Sequence, residues 1–125
     1  MKTPLHTERA PQAIGPYVQG WKVGRTIYTS GQLGIDMATG DLAAGVEAQA
    51  HAAMKHMGEI LKAGGAGYGD VVKTLVFLKD MGDFQAVNEI YAQYFPGSFP
   101  ARSCVQVAAL PKDALVEIEC VAVVE

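Results

Sequence analysis

From Val46 onward the apolar positions recur at helical spacing. Val46, Ala50, Ala53, Met54, Met57, Ile60 and Leu61 fall on one stripe, with Glu47, His51, Lys55, Glu59 and Lys62 mostly opposite. Gly64-Gly65 is placed to end that helix, because glycine accepts the left-handed conformation cheaply. Residues 71–79 are β-branched and apolar and predict a strand. Asp83 is a candidate cap for a second helix whose inward stripe is Phe84, Val87, Ile90, Tyr91 and Tyr94, stopped by Pro96-Gly97. Upstream, residues 17–23 and 25–30 read as two strands with Gly24 near their turn. Gly31 and Gly34 interrupt the second, as at a bulge or a close backbone approach. Residues 36–41 form a turn cluster, and Pro4, Pro11 and Gly15-Pro16 suit an extended lead-in. Residues 103–108 and 115–124 are the last two strands, giving the order β-β-α-β-α-β-β.

Two helices beside five or more strands predict an α+β fold, a mixed sheet with both helices packed on one face. Strand parity then becomes informative. In the last strand Val116, Ile118, Cys120, Ala122 and Val124 make an apolar face for the helices. The other face carries Leu115, Glu117, Glu119, Val121 and Val123, too apolar to be left wet. The middle strand is expected to set Val72, Val76 and Leu78 against Lys73, Leu75, Phe77 and Lys79. The second face therefore needs another subunit, and polar groups on it are candidates for a site at a subunit interface.

Composition agrees. The 125 residues suit one domain spanning 1–125, half of them are hydrophobic and only 18% are charged. A net charge of −3 without a basic stripe weighs against a nucleic-acid partner. Cys104 and Cys120 are too few for a disulfide scaffold and read as reduced thiols in a cytoplasmic protein. Residues 1–8 lack the apolar run of a signal peptide, and no stretch approaches the length of a membrane span.

His6, His51 and His56 have no cysteine or carboxylate at metal-ligand spacing, so no metal site is expected. His51 is expected on the solvated helix face and His56 near its edge. Gly64-Gly65-Ala66-Gly67 follows a helix, so it is no phosphate loop, and no strand–turn–helix carries Gly-x-Ser-x-Gly. Arg102 is the first informative residue. It is fixed between Phe99-Pro100-Ala101 and a strand, sharing a side with Cys104 and Gln106. A guanidinium there can grip a carboxylate with two parallel hydrogen bonds. An ion pair with Glu117 or Glu119, or plain exposure, is the competing interpretation. Glu119 is the second. A half-buried carboxylate in mid-strand gains a raised pKa suited to acid–base work, or else pairs with Arg102 or Lys73. Cys104 lacks an adjacent base and reads as a small buried thiol. Tyr17 and Ser30 offer hydroxyls near strand ends, by default structural.

Phe99-Pro100-Ala101-Arg102-Ser103-Cys104-Val105, Leu110-Pro111-Lys112-Asp113 and Val116-Glu117-Ile118-Glu119 together closely resemble the signature of the RidA (YjgF) family. Ile14-Gly15-Pro16-Tyr17, Thr29-Ser30-Gly31-Gln32, Val72-Lys73-Thr74 and Asp83-Phe84 to Asn88 match it as well, so the likeness runs from about Ala10 to the end. The connection 94–99 is shorter than in some members and alters only the rim of the site.

The resemblance implies a chorismate-mutase-like fold and a homotrimer with a cleft between each pair of subunits. It implies hydrolysis of enamine and imine intermediates such as 2-aminoacrylate and 2-iminopropanoate to 2-keto acids and ammonia, with no cofactor or metal. Carried across by motif, Arg102 grips the substrate carboxylate beside the Ser103-Cys104 backbone. Glu119 positions or activates water, Tyr17, Ser30 and Gly31 line the cleft, and Asn88 lies near it. Two alternatives remain: a non-catalytic trimer that senses keto acids or acts as a chaperone, and a translation-inhibiting endoribonuclease. The acidic charge weighs against the second.

Overall fold

The computed structural model describes residues 1–125. Seven strands form one sheet: β1 (Lys2–Leu5), β2 (Gly20–Val23), β3 (Thr26–Thr29), β4 (Gln32–Leu33), β5 (Val71–Leu78), β6 (Ala101–Gln106) and β7 (Val116–Val123). The helices are α1 (Val46–Ala63) and α2 (Phe84–Ala92). In space the strands run β1-β2-β3-β7-β5-β6, and β4 pairs with β7 further along the edge that β3 occupies. Only β5 and β6, joined through α2, are parallel. The sheet is mixed and the class is α+β, as expected.

The core lies between the helices and one face of the sheet. Ala53, Met54, Met57, Ile60 and Leu61 of α1 and Val87, Ile90 and Tyr91 of α2 pack there with Ile27, Val76, Leu78, Val116, Ile118 and Ala122. Helix α1 closes as the glycines predicted: Gly65 takes φ 82°, and the Gly65 and Ala66 amides donate to the Lys62 and Leu61 carbonyls. The opposite face stays open, leaving Trp21, Tyr28, Val105 and Val123 exposed.

Several expectations need correction. The lead-in begins with a strand, β1, which tolerates Pro4 because it lies at the sheet edge. Residues 17–19 are not a strand, since the buried Gln19 side chain pins the lead-in as a loop. Its Oε1 accepts from the Thr7 amide at 2.7 Å and its Nε2 donates to the Pro11 carbonyl at 2.8 Å. A register shift between Val71 and Lys73 turns Val72 out to solvent, so Val71 and Thr74 take the buried positions. The Asp83 side chain does not cap α2; Asp80 accepts from the Gly82 amide at 2.8 Å one turn earlier. His56 is buried and bonded to the Ile35 carbonyl at 2.7 Å, while half-buried His51 meets the Tyr94 hydroxyl at 2.8 Å.

Candidate active site

The residues singled out in the sequence gather in two clusters, one on each side of the sheet. Register fixes the first. Arg102 stands opposite Thr74, and Thr74 opposite Cys120, so these side chains share the helix side. Helix α2 presents Phe84, Asn88 and Tyr91 at spacings of four and three residues, one stripe aimed at the guanidinium. Arg102 Nη1 donates to Asn88 Oδ1 at 2.6 Å. Its guanidinium carbon lies 5.0 Å from the Tyr91 ring centroid and 5.5 Å from that of Phe84. Asn88, Tyr91, Phe99, Pro100 and Arg102 line a hollow of about 440 Å³.

Neither ion pair considered for Arg102 forms. The chain's one ion pair joins Lys79 to Asp113. Cys104 follows on the same side, half-buried, and burial pushes its thiol pKa up against the opposing pull of Arg102. It is therefore a protonated thiol rather than a nucleophile at neutral pH. Ser103 faces the other way, in a row with Leu75 and Glu119.

The second cluster is on the open face and around its β4 edge. Glu117 stands opposite Leu33 of β4 and Phe77 of β5. Gly31 lies against its carboxyl, and an ideal Cβ there would stand 2.8 Å from Glu117 Cδ. Burial raises the Glu117 pKa, and the neighbouring Glu119 charge raises it further. Tyr17, Gly31, Leu33, Ile35, Met37 and Lys112 are among the residues lining a cavity of about 320 Å³ beside it. Lys112 and Asp113 both take φ 58°, a strained turn that carries the lysine to the rim. Ser30 is the wall's anchor: its hydroxyl donates to the Val18 carbonyl at 2.5 Å.

Tyr17 and Gly31 therefore come together, as do Arg102, Asn88 and Cys104. Arg102 and Glu119 do not, because they point to opposite faces. The sequence pattern offers Glu117 as a polar group of the open face and as a partner for Arg102, not as the base, yet it is the carboxylate against Gly31. Alternation put Glu117 and Glu119 on one face, and only the β4 register separates them. The inward stripe of α2 assigns Phe84 and Tyr91 to the core, and their helical spacing from Asn88 is the signal in the sequence that ties them to Arg102.

Comparison with known proteins places this geometry. Residues 7–124 match the family model described as Endoribonuclease L-PSP. A human protein named 2-iminobutanoate/2-iminopropanoate deaminase is 56% identical over 120 residues, covering 95% of this chain and 88% of that protein. The protein of the same name from Escherichia coli K12 is 49% identical over 126 residues, covering 98% of each. The crystal structure of Escherichia coli TdcF with bound serine superposes with a TM-score of 0.95 at 44% identity, covering 98% of this chain and 99% of that one. The chain belongs to the endoribonuclease L-PSP family, the RidA (YjgF) family that its motifs resemble.

Proposed function

We propose that this protein hydrolyses enamine and imine intermediates of the 2-aminoacrylate/2-iminopropanoate type to 2-keto acids and ammonia, in clefts between the subunits of a chorismate-mutase-like homotrimer. The deaminase name of its relatives supports the reaction. The observation that carries the site is the division of its residues. Arg102 and Asn88 lie on the helix side at β6, and Glu117 and Gly31 belong to the open face around β4 and β7. Arg102 is two strands from Glu117, roughly 10 Å across the sheet, with the backbone between them. One chain holds two half-sites, and a second copy laid on the apolar open face joins them.

In the joined cleft the Arg102 fork binds the carboxylate of the imino acid. An enamine first takes a proton at its terminal carbon to become the iminium. Glu117, partly desolvated and with a raised pKa, then accepts a proton as water attacks the iminium carbon. The tetrahedral adduct takes that proton back on nitrogen, and the C–N bond breaks as Glu117 accepts the hydroxyl proton and the C=O bond forms, releasing ammonia; that proton is then available for the terminal carbon of the next enamine. Glu117 thus takes the role that the family resemblance gave to Glu119. Glu119 sustains the raised pKa through its charge.

The test generates imino acids in situ with an L-amino acid oxidase and traps them as semicarbazones at fixed oxidase turnover. The protein should lower trapping in proportion to its concentration. Undiminished trapping across small and bulky imino acids would overturn the deaminase assignment and leave keto-acid binding as the function of the cleft.

A further inference from the structure

Arg102 has no counter-ion, and the rings of Phe84 and Tyr91 stand where one would be expected. Both ring centroids are within the roughly 6 Å over which an aromatic face attracts a cation. Tyr91 is held rigidly. It is buried, its hydroxyl bonds the fully buried Thr74 hydroxyl at 2.6 Å, and Phe95 packs 4.8 Å away, centroid to centroid. Phe84 opens α2 and is half-buried, so the cation has one fixed and one accessible ring beside it.

The difference between a ring and a carboxylate matters chemically. An Asp or Glu partner would stabilise the guanidinium by occupying its N–H donors. A π face stabilises the same charge and leaves the donors free. Here one Nη1 hydrogen bond goes to Asn88, and that neutral acceptor fixes the rotation of the fork without neutralising it.

We infer that Phe84 and Tyr91 are positioning residues for the deaminase reaction, an aromatic shelf that replaces the counter-ion of Arg102 and keeps its fork open for the substrate carboxylate. The inference rests on the carboxylate grip proposed above. It assigns these rings a role in binding that ordinary core packing would not require.

The experiment measures 2-oxobutanoate binding by calorimetry, and KM and kcat by semicarbazone trapping, for wild type, Arg102→Ala, Phe84→Leu and Phe84→Tyr. Thermal melts confirm folding, and Phe84→Met replaces Phe84→Leu if the latter does not fold. Phe84→Leu should weaken binding about 3- to 30-fold and raise KM by a similar factor, with kcat within about twofold of wild type. Phe84→Tyr, which keeps the ring, should restore both. If Arg102→Ala loses binding while Phe84→Leu keeps it, the shelf is overturned and the carboxylate grip stands. If Phe84→Leu weakens binding but Phe84→Tyr does not restore it, the role is packing and the shelf is again overturned. Undiminished binding by Arg102→Ala would overturn the grip, and the shelf with it.

Discussion

Gly31 and the Glu117 carboxyl compete for one space: an ideal Cβ at residue 31 would stand 2.8 Å from Glu117 Cδ and 3.0 Å from its Cγ. The carboxyl is the free end of its side chain, so it can yield without moving the sheet. Gly31→Ala should therefore spare the fold and displace the proposed base. The expected result is a loss of at least about tenfold in kcat/KM with an almost unchanged melting temperature. Full activity in the alanine variant would mean that the Glu117 position does not matter to turnover.

The two carboxylates of β7 should separate kinetically. Glu117→Gln removes the proposed proton acceptor and should cost about 10²–10⁴ in kcat. Glu119→Gln should cost far less but should move the pH profile. Burial is the main cause of the raised Glu117 pKa, and the Glu119 charge is the second. Removing that charge lowers the Glu117 pKa, so the acid limb of kcat/KM should shift to lower pH. A Glu119→Gln enzyme as impaired as Glu117→Gln, with an unmoved limb, would return the catalytic role to Glu119.

Periodicity made both helices, the two long strands and the open second face legible, because each depends on residues close in the chain. What escaped depended on partners far away. Pro4 argues against a strand locally, and only its place at the sheet edge makes β1 possible. Val72 follows the alternation until the register shift against β7 turns it outward. Glu117 and Glu119 are equivalent by parity, and the distinction arises from two residues of β4 paired with β7. Arg102 and Asn88 were legible from motif, but their separation from Glu119 needed the sheet order.

Gly34 provides a test of the fold itself. A Cβ there would collide with the backbone of Gln49 near the start of α1, and backbone cannot swing aside as a carboxyl can. Gly34→Ala should destabilise the protein by about 1–3 kcal/mol through displacement of that helix. Chemical denaturation measures it. A stability equal to wild type would mean that α1 is not held by this approach.

His56 makes part of the stability pH-dependent. Burial is the main cause of its lowered pKa, outweighing the hydrogen bond to Ile35 and the Glu59 charge, both of which raise it. The unfolded chain protonates this histidine near 6.5 while the folded one resists. Its contribution is therefore complete above that value and is lost as pH falls below it. Between about pH 7.5 and 5.5 the wild-type melting temperature should fall more than that of His56→Gln. Parallel declines would place the acid sensitivity elsewhere.

The proposed division of the site between copies makes the most demanding prediction. Arg102→Ala should lose turnover while remaining folded, since Arg102 forms no ion pair whose loss would strand a buried carboxylate. Glu117→Gln should lose turnover as well. In a trimer whose every cleft takes Arg102 from one copy and Glu117 from the next, mixing the two inactive variants rebuilds intact clefts. Each cleft then needs one particular variant on each side, so an equal mixture reassembled at random should regain about a quarter of the wild-type activity. The measurement is imine turnover after the subunits have been dissociated and allowed to reassociate together, with each variant treated alone as the control. A mixture as inactive as its parents, with subunit exchange demonstrated, would place Arg102 and Glu117 in the same copy's cleft or outside a common one.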